Sequence, residues 1–111
     1  MKTVNIETGM PTAETAKSNL SLALRKAKAD GYAALKVIHG YGSSGRGGVI
    51  KSHVQSLLAG KKASGLIRGF VKGEDFSPFS DSARKLLDLC PELARDSDYN
   101  RTNHGVTIVL L

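Results

Sequence analysis

Five glycines fall within the nine residues after His39: Gly40, Gly42, Gly45, Gly47 and Gly48, separated by Tyr41, Ser43, Ser44 and Arg46. A loop of this kind lets backbone N–H groups crowd around an anion with no Cβ atoms in the way. A helix that starts behind it aims its positive end at the same point. Arg46 adds a full charge, and Ser43 and Ser44 add hydroxyl donors. Lys51, about five residues into that helix, has the reach to meet the same phosphate. These residue types describe a phosphate-facing loop. His39 at its base could activate an attacking oxygen, with Arg46 and the loop amides stabilising the charged transition state of phosphodiester cleavage. The alternative for His39 is a structural histidine that fixes the loop through a backbone carbonyl. Tyr41 is the residue to stack on a base or sugar, or else to pack over the loop's own helix.

Two familiar phosphate loops fail on context. Gly40-Tyr-Gly-Ser-Ser-Gly45 fits the dinucleotide fingerprint, but it follows the second strand rather than the first, and residues 60–65 hold no acid for a ribose. The Walker spacing is also present, yet Arg46-Gly47 stands where a lysine and a hydroxyl residue are needed. His39, His53 and His104 lack a neighbouring Cys/Asp/Glu cluster, so no metal site is expected. His104 falls near the loop if the last strand is central.

The elements around the loop follow from periodicity. Residues 2–7 alternate, with Val4 and Ile6 on one side, and read as a half-buried strand. Pro11 suits a first helical turn, and Ala13, Ala16, Leu20, Leu24 and Ala27 recur at helical spacing up to a left-handed cap at Gly31. The opposite face of this helix carries Lys17, Arg25, Lys26 and Lys28. A strand over residues 35–39 leads into the loop, a helix spans residues 46–59, and Gly60-Lys61-Lys62 closes it. Residues 66–71 form a third strand, and residues 73–82 a loop with Phe76 and Phe79 clustered. Asp81 caps a short helix that buries Ala83, Leu86, Leu87 and Cys90, and Pro91 ends it. Residues 105–111 make the final buried strand. The order β-α-β-α-β-(α)-β describes an α/β fold, a two-layer sandwich with two main helices on a four-stranded mixed sheet.

The 111 residues bound one domain over residues 1–111. A hydrophobic share of 41% excludes disorder, and the absence of tryptophan makes the core aliphatic. Cys90, alone, forms no internal disulfide and fits a reducing compartment. With no signal-type run and no stretch near the ~20 apolar residues of a membrane span, a cytoplasmic protein without a membrane partner is expected. The net charge of +6 is uneven: residues 1–72 carry +9 and residues 73–111 carry −3. Basic charge around the glycine loop points to a polyanion.

The motif His39-Gly40-Tyr41-Gly42, the helix from Arg46 and the closing Gly105-Val-Thr-Ile-Val109 resemble the Smr (small MutS-related) domain. The chain is similar in nearly its whole order of elements and reads as a stand-alone, divergent member. The resemblance implies a fold like the C-terminal domain of translation initiation factor three. It also implies nucleic-acid binding and, in some members, nicking of DNA or cleavage of RNA. The family's usual opening, Leu-Asp-x-His-Gly, is altered. Here Val4-Asn5-Ile6-Glu7-Thr8-Gly9 puts Asn5 in place of the acid and Glu7 in place of the histidine, with one extra residue before the glycine. Asn5 takes no proton at neutral pH, and Glu7 is a different kind of base. Residues 73–103 are longer than the usual connection and read as an insertion.

Two function classes survive. One is a nucleic-acid-binding module whose loop and basic helix faces grip DNA or RNA backbone, recruited where needed by a protein partner. The other is a nuclease using His39 with Glu7. No cofactor is evident, though a divalent metal ion is expected if the chain cuts. Outside nucleic acids, the loop could hold a phosphorylated small molecule. An exposed sheet edge permits dimers without requiring them.

Overall fold

The final apolar run becomes the strand on which the sheet is built. Val106–Leu110 (β4) is buried at every position and lies inside a four-stranded sheet, as expected of a strand apolar on both faces. Its neighbours are Ala34–Ile38 (β2) and Gly69–Lys72 (β3), both antiparallel to it, and Lys2–Asn5 (β1) pairs parallel to β2, giving the order β1-β2-β4-β3. The register sets Val37 and Lys72 on either side of Thr107. The computed structural model describes residues 1–9, 12–41 and 46–111, with backbone alone for residues 46–48. The expected place of Pro11 in a first helical turn lies outside the described residues.

Strand alternation divides the core in two. Leu35, Val37 and Val109 face the helices Ala13–Ala29 (α1) and Arg46–Ala63 (α2), which supply Leu20, Leu24, Ile50, Val54 and Leu58. Each such buried side chain contributes about 1.5–3 kcal/mol of transfer free energy. This is the expected pair of helices against a mixed sheet. Ala34, Ile108, Leu110 and Val71 face the other way, against Ala83, Leu86, Cys90 and Leu93 from Asp81–Leu89 (α3) and the 3-10 turn Pro91–Arg95. The segment 73–103 therefore covers the sheet's second face. Lys36 projects from β2 into this layer and pairs with Asp96 Oδ2 at 2.8 Å and with Asp98.

Several boundaries move for local reasons. Helix α2 continues through Gly60 to Ala63, because the cap is Gly65. Its φ of +81° lets Leu66 N–H reach Lys61 O at 2.9 Å and Gly65 N–H reach Lys62 O at 3.1 Å. Those are the two bonds of a Schellman motif. Helix α1 ends the same way at Gly31, as expected, with Tyr32 N–H on Ala27 O. Ser80 caps α3, one residue before Asp81, its hydroxyl accepting from Ala83 N–H at 3.3 Å. The two phenylalanines separate: Phe76 is buried edge-on to Tyr99 at 5.1 Å, whereas Phe79 is 84% exposed. Among the described residues, no helix is long and apolar enough to cross a membrane.

Candidate nucleic-acid interface

Strands β1, β2 and β3 run in one direction, so their carboxyl ends share an edge with the start of β4. The loops leaving β1 and β2 feed α1 and α2, whose positive ends therefore lie at that edge too. There the chain leaves β2 through His39, Gly40 and Tyr41. His39 N–H and Gly40 N–H both donate to Gly105 O, at 3.0 and 3.1 Å. Gly40 has a φ of +85°, and a Cβ on it would overlap the Glu7 carboxylate. The positive φ is what calls for glycine, since the Glu7 carboxylate ends an exposed side chain that can turn aside. Glu7 is exposed and lies directly over the base of the loop. Asn5 works locally. Its Oδ1 accepts from Glu7 N–H at 2.9 Å and Thr8 N–H at 3.1 Å, which ends β1 and turns the chain.

His39 is fully buried. Its Nδ1 lies 3.0 Å from Gly40 O and its Nε2 2.9 Å from Thr107 Oγ1. The carbonyl can only accept, so Nδ1 carries the proton and donates to Gly40, while Nε2 accepts from the Thr107 hydroxyl. Thr107 Oγ1 in turn accepts from Gln55 Nε2 at 2.8 Å. Burial pushes His39 below the ordinary histidine value, against the Gly40 hydrogen bond and with the help of the Lys51 charge. His39 is thus neutral at pH 7, with both nitrogens engaged within the protein.

Tyr41 is 67% exposed, and its ring rests against Gly105, where a Cβ would lie 3.4 Å from Cε2. Lys51 does not extend freely into solvent. Its Nζ bonds Glu74 Oε2 at 2.7 Å, across from the 3-10 turn Gly73–Asp75. Gly73 sets that turn tightly against β4, since a Cβ there would meet Asn103 O and the Val106 side chain. His104 Nδ1 lies 3.4 Å from the same Glu74 oxygen. Burial would raise the Glu74 value, but the Lys51 hydrogen bond and charge outweigh it and hold the carboxyl below its usual range.

The structure brings together His39, Gly40, Tyr41, Glu7 and Lys51 at one edge. Gly42, Ser43, Ser44, Gly45 and the Arg46 side chain lie outside the described residues. Sequence reasoning missed Glu74, Gln55 and Thr107. Thr107 left one signal, a lone polar residue in an apolar run. Among the described residues, no three His, Cys, Asp or Glu side chains could together hold a metal ion.

The fold and this edge define an α/β domain in which the starts of two helices gather where anionic ligands of α/β sheets bind. The family model of the Smr domain matches residues 8–74, more than half of the chain. The chain belongs to the Smr domain family, whose members are generally associated with nucleic-acid binding and nicking endonuclease activity. Comparison with curated proteins and with solved structures finds no significant match.

Proposed function

We propose that this chain is a nucleic-acid-binding Smr domain that grips the phosphate backbone at the carboxyl edge of its parallel strands. The observation that carries the reading is Tyr41, an exposed ring held against Gly105 beside the glycine loop and the start of α2. The loop residues Gly42, Ser43, Ser44 and Gly45 supply amide and hydroxyl donors, Arg46 supplies charge, and Tyr41 stacks on a base, while the Gly40 amide stays on Gly105 O. Arg25, Lys26 and Lys28 are exposed but lie toward the far end of α1 from this edge, with Lys28 Nζ bonded to Leu66 O at 2.7 Å. His39 acts as a positioning residue that fixes the loop through Gly40.

The test is a titration of short labelled single-stranded RNA, duplex DNA and branched DNA at two salt concentrations. Arg46→Ala should weaken binding to all three and flatten the salt dependence by about one unit of slope. Tyr41→Ala should cost about 1–3 kcal/mol on single strands. No salt-sensitive binding to any of the three sinks the reading and favours a phosphorylated small molecule.

Nicking is the second reading, favoured by the exposed Glu7 carboxylate over the loop base. Glu7 would act as general base, alone or with a divalent ion. Cutting lost in Glu7→Gln while binding survives would establish it, and absence of cutting by the wild type with and without Mg²⁺ would remove it.

A further inference from the structure

Lys51, Glu74 and His104 come from three different elements and meet at one carboxylate oxygen. Lys51 Nζ stands 2.7 Å from Glu74 Oε2, and His104 Nδ1 stands 3.4 Å from the same atom. We propose that Lys51 and His104 form a phosphodiester-binding subsite that the Glu74 carboxylate fills, as an internal stand-in, while no nucleic acid is bound. The inference rests on the nucleic-acid reading above and adds to it where one further backbone phosphate sits and what must leave first.

Three observations support the exchange. The carboxylate is only half satisfied: Oε1 is buried and has no donor among the described residues. A buried acceptor without a partner is disfavoured relative to the same oxygen in water. Swinging Glu74 outward returns Oε1 to water, which offsets part of the lost Lys51 contact, and the incoming phosphate restores that contact. Second, the ligand it leaves behind matches. A phosphodiester carries the same single charge and has two free oxygens, so one can take the Lys51 hydrogen bond while the other stays in water. Third, the position is continuous with the proposed grip. His104 immediately precedes Gly105, whose carbonyl takes the His39 and Gly40 amides and against which Tyr41 rests.

The exchange has a distinctive salt signature. In the wild type, phosphate replaces a carboxylate on Lys51, so few counterions are released there. With Glu74 neutral, Lys51 meets phosphate as a free cation, and the slope of log K against log salt should steepen by about 0.9 on duplex DNA or about 0.7 on a single strand.

The experiment compares the wild type, Glu74→Gln, Glu92→Gln and Lys51→Gln/Glu74→Gln on a short fluorescein-labelled duplex DNA and a matching single-stranded RNA. The Glu92→Gln variant removes an equal charge from an exposed position in the 3-10 turn on the second face. Expected is binding about fivefold tighter or more for Glu74→Gln, with the steeper slope, and loss of that gain in the double variant. Gain no larger than in Glu92→Gln overturns the inference and leaves the nucleic-acid reading standing. Failure of both wild type and Glu74→Gln to bind overturns the two together. Should Glu74→Gln fold poorly, NMR of the wild type decides: nucleic acid must move the Lys51 Nζ and Glu74 carboxyl resonances, and unmoved resonances in a bound sample refute the exchange.

Discussion

Replacing Thr107 by valine tests the scaffold beneath the loop. The substitution keeps the shape of the side chain and makes it more apolar in a fully buried position, which by area alone should be harmless. The structure predicts otherwise. Valine removes the hydroxyl that donates to His39 Nε2 and accepts from Gln55 Nε2. The fully buried His39 Nε2 left without a donor costs about 1–3 kcal/mol, and the half-buried Gln55 amide adds about 1 kcal/mol, so the loss should be roughly 2–4 kcal/mol. That is a large part of the ~5–15 kcal/mol typical of a domain, and near ~4 °C per kcal/mol it lowers Tm by about 8–16 °C. Thr107→Ser is the control. It keeps the hydroxyl and deletes one methyl group, at about 1 kcal/mol. The assay is urea unfolding followed by far-UV circular dichroism, since the chain has no tryptophan, with equal m values required for comparison. A valine variant as stable as the serine variant would refute the hydrogen-bonded account of His39.

Four further outcomes follow from other contacts in the structure. Lys36→Met leaves Asp96 and Asp98 facing an apolar neighbour and should cost about 3–5 kcal/mol by chemical denaturation, most of it recovered when both acids are also changed to asparagine. For pH, burial holds folded His39 below its ordinary value, so the unfolded chain takes the proton first as pH falls through about 6.5. Its contribution is full above that pH and declines below it, and His39→Gln should remove this part of the pH profile. Burial alone would raise the Asp98 carboxyl, but Asn103 and Lys36 bring it below its usual range. Its stabilisation is present above about pH 4 and is lost as pH falls through the lowered folded value. Gly40→Ala, forced into a left-handed conformation while Glu7 turns aside, should cost about 1–2 kcal/mol in a thermal melt.

The framework was legible because most of it is written in short-range pattern. Helical spacing of Leu20 and Leu24, the glycine cap at Gly31 and the buried run at residues 106–110 each have one reading. Ambiguous punctuation displaced the boundaries. Gly60 looks like a terminator, yet only Gly65 takes the positive φ, and a glycine inside a packed helix costs merely about 1 kcal/mol. The second face of the sheet was hidden for a different reason. Lys36 sits in a strand where alternation suggests an exposed lysine, and only the distant Asp96 and Asp98 make its burial tolerable. The candidate site followed the same division. The loop announced itself by composition, while Glu74, Gln55 and Thr107 matter through contacts that span up to 68 residues.

The altered opening strand fits this arrangement. Asn5 spends its side-chain oxygen on the turn that follows β1, and an aspartate there could make the same two bonds while adding negative charge beside the loop. His39 is held by Gly40 and Thr107. The groups that a cutting mechanism would want free are therefore occupied in holding backbone, and Glu7 is left as the carboxylate at the loop base. On the proposed reading, a carboxylate there repels phosphate, as Glu74 does at Lys51, and both acids set a threshold for binding. A single phosphate gains little by displacing them, whereas a polyanion that also engages Arg46 and Tyr41 overcomes both. Glu7→Gln and Glu74→Gln should then each raise affinity for isolated inorganic phosphate by at least as large a factor as for a nucleic acid, in a salt-matched competition titration. A gain seen with the nucleic acid alone would mean that the acids act only through net charge.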